Sequence, residues 1–148
     1  MNKKFREINV EYTINSGQVF LWNKIGKKWY GVDGENILVI DEKTTKFSKN
    51  QKEFNFFREN DNFEEVFSYL KKDKVVKKAL STFPGIRLLR QNPFQCYISF
   101  IVSSNSNIPN IKTRLQNLCK KFGKRRKIES KEFFVFPEAK VISKASIS

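Results

Sequence analysis

The chain has 148 residues, 39% of them apolar and fifteen of them phenylalanine, which is enough for a core and excludes wholesale disorder. Lysine and arginine outnumber the acids 29 to 15, a formal net charge of +14, so the expected partner is a polyanion, with nucleic acid ahead of an anionic membrane surface. Histidine is absent, and Cys96 and Cys119 are the only cysteines, which excludes Ser-His and Cys-His nucleophile pairs and a zinc centre of standard type.

In chain order, residues 5–14 mix alternating and β-branched side chains and read as a strand broken by Gly17. Residues 18–23 form a second short strand. A turn at Gly26 leads to a strand over 29–32, Asp33-Gly34 marks a hairpin, residues 35–40 return, and 44–48 add one more strand. Short strands joined by tight turns predict an antiparallel meander with one apolar face and one wet face. Beyond residue 50 the period changes. Phe63, Val66, Phe67 and Leu70 recur at helical spacing behind Asp61 or Asn62 as N-cap, and a second helix runs from Asp73 to Leu80, ahead of Pro84-Gly85.

Asn92 and Pro93 supply the clearest helix start, as N-cap and first helical residue. Residues 94–102 are apolar around nearly the whole circumference, which predicts a buried central helix stopped by the polar loop 103–107. The next helix carries Ile108, Ile111, Leu115, Leu118, Cys119 and Phe122 on one stripe and ends at Gly123 as a C′ residue. Both cysteines lie on apolar stripes and are expected to be core residues in a reducing compartment. Lys120, Lys121, Lys124, Arg125, Arg126 and Lys127 cluster at the helix end, where cations suit the dipole. An aromatic loop or extended segment over 131–137 and the start of a helix over 138–148 complete the chain. The fold class is α+β, with an antiparallel β-domain and trailing helices over 1–91 and the start of a helical domain over 92–148. No run approaches the roughly 18 apolar residues of a membrane span, and no apolar leader follows Met1, so an intracellular protein of cytoplasm, nucleoid or nucleus is expected.

Two segments are recognisable: Asn15-Ser16-Gly17-Gln18-Val19-Phe20-Leu21-Trp22, and Phe83-Pro84-Gly85-Ile86-Arg87-Leu88-Leu89-Arg90-Gln91-Asn92-Pro93-Phe94-Gln95-Cys96 running on through Ser103-Ser104-Asn105-Ser106-Asn107-Ile108. In this order and separation they resemble the 8-oxoguanine DNA glycosylase/AP lyase family of the helix-hairpin-helix superfamily. The resemblance implies a twisted antiparallel sheet packed on the first helices of a helical glycosylase domain, which receives a guanine lesion flipped from duplex DNA. It implies no metal and no cofactor, and a monomer at full length.

Carried over by position, Gly17 matches the glycine whose carbonyl accepts the hydrogen on N7 of the oxidised base, a hydrogen that unmodified guanine lacks. Asn105 matches the asparagine that contacts the orphaned cytosine, while Asn107 suits an N-cap. Arg87, Arg90, Lys124, Arg125 and Arg126 are candidate DNA-backbone contacts, with a structural ion pair as the plainer role for the first two. Phe20 and Trp22 read as core or pocket wall. Ser106 stands where the family commonly has Asn. Asn110 stands where some members have an arginine that reads the orphaned cytosine. No catalytic residue is assigned. The Gly-rich hairpin, its lysine and the later aspartate are expected beyond Ser148, and neither Lys140 nor Lys144 sits beside a Gly-x-Gly turn.

The leading expectation is therefore the amino-terminal part of an oxidised-purine glycosylase, inactive and poorly soluble by itself. The alternative is a non-catalytic, basic damaged-DNA-binding module. A basic structural protein, such as a ribosome component, leaves both motifs without a role.

Overall fold

The computed structural model describes residues 8–41 and 55–146; the expected strand over 44–48 lies outside them. The chain opens on a helix where a strand is expected. Helix α1 (Val10–Ile14) starts because the Asn9 side chain accepts the Tyr12 N–H at 2.9 Å, and it buries Val10, Thr13 and Ile14 on one side. That spacing of i, i+3, i+4 is helical, and β-branched composition had masked it.

Strands β1 (Trp22–Ile25), β2 (Lys28–Asp33) and β3 (Asn36–Asp41) form an antiparallel meander in the order β1-β2-β3. The β2–β3 ladder ends at Asp33 opposite Asn36, so the turn residues are Gly34 and Glu35, one position later than the Asp33-Gly34 reading. Gly34 takes φ +59, as the first residue of a type II′ hairpin requires.

Strands β2 and β3 have no wet face, whereas β1 is exposed beyond Trp22. Tyr30, Val32, Ile37 and Val39 pack on one side against Ile111, Leu115, Cys119, Val135 and Phe136. Trp22, Trp29, Leu38 and Ile40 pack on the other against Val10, Ile14, Phe56 and Phe57. The unbroken run Ile37-Leu38-Val39-Ile40 is what a strand covered on both faces needs.

Helices α2 (Phe63–Leu70) and α3 (Lys74–Thr82) follow the expected pattern, capped by Asn62 and Asp73. Helix α4 (Pro93–Ser103) is capped by Asn92, and α5 (Ile108–Phe122) by Asn107, whose side chain accepts the Asn110 N–H at 3.0 Å. Gly123 ends α5, but with φ −83 and not in a left-handed C′ conformation. Its requirement is space, since an added Cβ would lie 1.9 Å from the Val135 carbonyl oxygen.

The residues after Gly123 form a hairpin of β4 (Arg125–Ile128) and β5 (Lys131–Phe134), so Arg125, Arg126 and Lys127 belong to a strand and not to the helix end. The hairpin is fastened to β2: Phe133 stacks on Tyr30 at 5.3 Å, and Glu129 accepts from Lys28 Nζ at 2.6 Å and from the Tyr30 hydroxyl at 2.7 Å. A short helix α6 (Ala139–Ile142) follows, its N-cap Glu138 making no side-chain cap bond.

Helix α4 corrects the expectation of a helix buried all round. Its fully buried residues are Gln95 and Ser99, with Phe94, Ile98 and Val102 half-buried against the core, while Tyr97, Phe100 and Ile101 are 63%, 74% and 50% exposed. Gln95 faces inward because it ties the β2–β3 turn to the helix. Its Nε2 donates to the Val32 carbonyl and its Oε1 accepts the Gly34 N–H, both at 2.8 Å. One core thus runs across the 91/92 boundary expected from sequence.

Candidate nucleic-acid interface

The two sequence motifs meet through a glutamine. Gly17 follows α1 at φ +87, exposed, with open space where a Cβ would stand. The adjacent Gln18 donates through Nε2 to the Arg87 carbonyl at 2.9 Å and to Ser16 Oγ at 2.8 Å, and its Oε1 accepts the Leu89 N–H at 3.0 Å. Thr13 adds a parallel tie, its hydroxyl accepting the Arg87 N–H at 3.2 Å and donating to the Asn9 carbonyl at 2.6 Å. Residues 13–18 and 87–89 are therefore clamped as one unit with the Gly17 turn exposed on it. Gln18 and Thr13 were missed from sequence because neither has a distinctive spacing. Only the fold shows that their bonds span some seventy positions.

The candidate backbone contacts separate into groups. Arg87 is a correction: it is 4% exposed, its guanidinium lies 4.1 Å from the Phe63 ring centre and near Phe67, and it donates to the Ile86 carbonyl. Burial lowers its pKa. The cation is turned into the α2 aromatics and away from a phosphate. Arg90 stays exposed. Its N–H donates to the Phe56 carbonyl at 2.8 Å, and it lines a groove of about 690 Å³ with Arg58, Cys96, Tyr97 and Phe100. Cys96 is thus exposed in that groove and not in the core, unlike Cys119, whose thiol is pushed up to about 12 by burial.

Asn105 is exposed at φ +49 in the loop between α4 and α5, a conformation that asparagine tolerates better than most residues. Asn107 is taken up by capping α5. Lys124, at the other end of that helix, bonds Glu35 and Glu138, each at 2.7 Å, and these bonds raise its pKa. Arg125 reaches Glu132 at 3.2 Å, and Arg126 is exposed beside it. Fifteen helical residues, about 22 Å at 1.5 Å per residue, therefore separate Asn105 from this cluster.

Asp33 joins the β2–β3 turn to α4. Its Oδ1 accepts the Asn92 N–H at 2.7 Å, and burial raises its pKa while that bond opposes the shift. Lys140 pairs with Glu138 at 2.7 Å and is 74% exposed at its side chain, so it is a solvated cation. A lysine nucleophile instead needs a dry pocket to lower its pKa.

Comparisons with known proteins agree with this arrangement. The N-glycosylase/DNA lyase OGG1 of Arabidopsis thaliana is 28% identical over 156 residues, covering 95% of this chain and 42% of the relative. The structure of the Clostridium acetobutylicum 8-oxoguanine glycosylase/lyase in its apo-form matches with a TM-score of 0.85 at 26% identity, over 94% of this chain and 52% of that one. The same enzyme in complex with double-stranded DNA containing cytosine opposite 8-oxoG matches equally, with a TM-score of 0.85 at 26% identity over 94% and 51% of the two chains. The chain thus spans about half the length of these solved structures. The family described as 8-oxoguanine DNA glycosylase, N-terminal domain, matches residues 1–97, and the chain belongs to that family.

Proposed function

We propose that this chain supplies the sheet and entry helices of a base-excision repair DNA glycosylase/AP lyase that removes 8-oxoguanine from duplex DNA. The observation that carries the reading is the Gln18 clamp, which holds the exposed Gly17 turn against residues 87–89 and so joins the two segments that resemble the family. In this reading the Gly17 carbonyl accepts the N7 hydrogen of the flipped lesion, Asn105 contacts the orphaned cytosine, and Arg90 takes a backbone phosphate. Unmodified guanine presents a lone pair to that carbonyl, and leaving a buried acceptor without a donor costs about 1–3 kcal/mol. Residues 1–91 contribute the base-facing sheet side and 92–148 the start of the helical side. Among the described residues no lysine is placed in a dry pocket facing the Gly17 turn, and in this reading strand cleavage falls to the part of the relatives that this chain does not cover.

The test uses fluorescence anisotropy with duplexes carrying 8-oxoguanine or guanine opposite cytosine, together with borohydride trapping. The expected result is salt-dependent binding to both duplexes, tighter for the lesion, with no covalent product. Absence of duplex binding at low salt overturns the reading. A trapped Schiff base overturns the assignment of catalysis outside the chain, and binding without lesion preference favours the non-catalytic DNA-binding module.

A further inference from the structure

We propose that the outer face of α5 and strand β4 form a second duplex-DNA surface, which grips backbone phosphates some distance from Asn105 and reads no base. The inference rests on the reading that the chain binds duplex DNA, but concerns a different part of the molecule. Between Ile108 and Ile128 the sequence holds eight lysines and arginines and no aspartate or glutamate. Concentrated like charge opposes folding unless a polyanion neutralises it.

The fold sorts these cations. Helix α5 buries Ile111, Leu115 and Cys119 at intervals of four. Its exposed side carries Arg114, Asn117 and Lys121 at i, i+3 and i+7, with Lys120 alongside. Only Gly123 and Lys124 separate the helix from β4, so the basic tract continues along the hairpin, where Arg126 and Lys127 project to opposite sides of the exposed strand. Lys124 is neutralised by Glu35 and Glu138, and Arg125 by Glu132. Among the described residues no carboxylate forms an ion pair with Arg114, Lys120, Lys121, Arg126 or Lys127, all exposed, and Glu132, the cross-strand neighbour of Lys127, is engaged by Arg125.

The helix dipole accounts for Lys120 and Lys121 in the last turn. It does not account for Arg114 in the middle of the helix or for two cations on a strand. No aromatic side chain stands exposed among the five, so nothing there stacks on unpaired bases; the chemistry fits the regular phosphates of a duplex better than a single strand. Lys121 lies about 20 Å along α5 from its N-terminal end, about six base pairs at 3.4 Å each. Contacts there hold the duplex without touching the base pair that Asn105 faces.

The experiment is a salt titration of duplex binding by the full chain, with and without the triple substitution Lys121→Gln, Arg126→Gln, Lys127→Gln. Each phosphate contact contributes about 0.9 to the slope of log affinity against log salt, so the variant slope is expected to fall by about 2.7. From 50 to 200 mM salt the unsubstituted chain then loses about 40-fold more affinity than the variant. The preference for lesion over undamaged duplex stays unchanged, and the melting curve matches because all three side chains are exposed. Acetylation mapping is the second readout, with duplex DNA expected to protect Lys120, Lys121 and Lys127.

An unchanged slope with these lysines unprotected overturns the second surface and leaves the proposed function standing. A changed lesion preference also overturns it, because the residues then act at the base. If the chain binds phosphatidylserine vesicles, and the substitutions abolish that binding but spare the duplex, the surface belongs to a membrane and the proposal fails. Loss of all duplex binding by the unsubstituted chain takes the proposed function down with it.

Discussion

Replacing Gln95 with leucine keeps a side chain of similar bulk at a buried position while removing the two hydrogen bonds that tie α4 to the β2–β3 turn. Gln95 is 4% exposed, and its amide satisfies the Val32 carbonyl and the Gly34 N–H, both at 2.8 Å. Leucine leaves both backbone groups buried without partners, at about 1–3 kcal/mol each. The added apolar burial returns about 1 kcal/mol, so the expected net loss is about 3 kcal/mol. For a chain of this size that is roughly 6–12 °C in Tm. Urea and thermal unfolding followed by circular dichroism give the loss, and hydrogen exchange locates it at the Gly34 amide. Gln95→Glu restores the acceptor but turns an oxygen toward the Val32 carbonyl, so it is expected to be more damaging at pH 7 than when protonated. A Gln95→Leu stability within about 0.5 kcal/mol of the parent, with the Gly34 amide still slow to exchange, refutes the role of Gln95 as the tie.

Three further outcomes follow from the same geometry. Under native conditions a thiol reagent should label Cys96 and spare Cys119, which is buried with its pKa at about 12; labelling of both in the folded chain contradicts the placement of Cys119 under the sheet. Gly123→Ala forces a Cβ against the Val135 carbonyl oxygen and should destabilise by more than the roughly 1 kcal/mol that glycine-to-alanine substitution gains elsewhere, as measured by urea midpoint. Glu138, held between Lys124 and Lys140, has its pKa lowered to about 2. Its contribution is present above the unfolded carboxylate pKa and is lost as pH falls through the folded one, so Glu138→Gln should flatten the acid limb of the stability curve between about pH 5 and 2. An NMR titration that puts its midpoint near the ordinary carboxylate value excludes the paired geometry.

The sequence by itself determined the α+β class, the β2–β3 hairpin, four of the helices with their caps, and the family. These rest on local signals: Asn62, Asp73, Asn92 and Asn107 each cap the chain that follows within three residues, and Gly34 sets its own turn. What only the tertiary structure decided depends on contacts distant in sequence. Residues 10–14 read as strand until Asn9 and Gly85 hold them as a helix, and the sheet read as one-sided until Phe56, Phe57 and α5 covered both faces. Helix α4 read as uniformly apolar, but an apolar circumference carries no direction. The polar Gln95 faces inward because two backbone groups on another element need it. Arg87 shows the same limit: a guanidinium near a helix start suits a phosphate or an aromatic face equally well until Phe63 arrives beneath it.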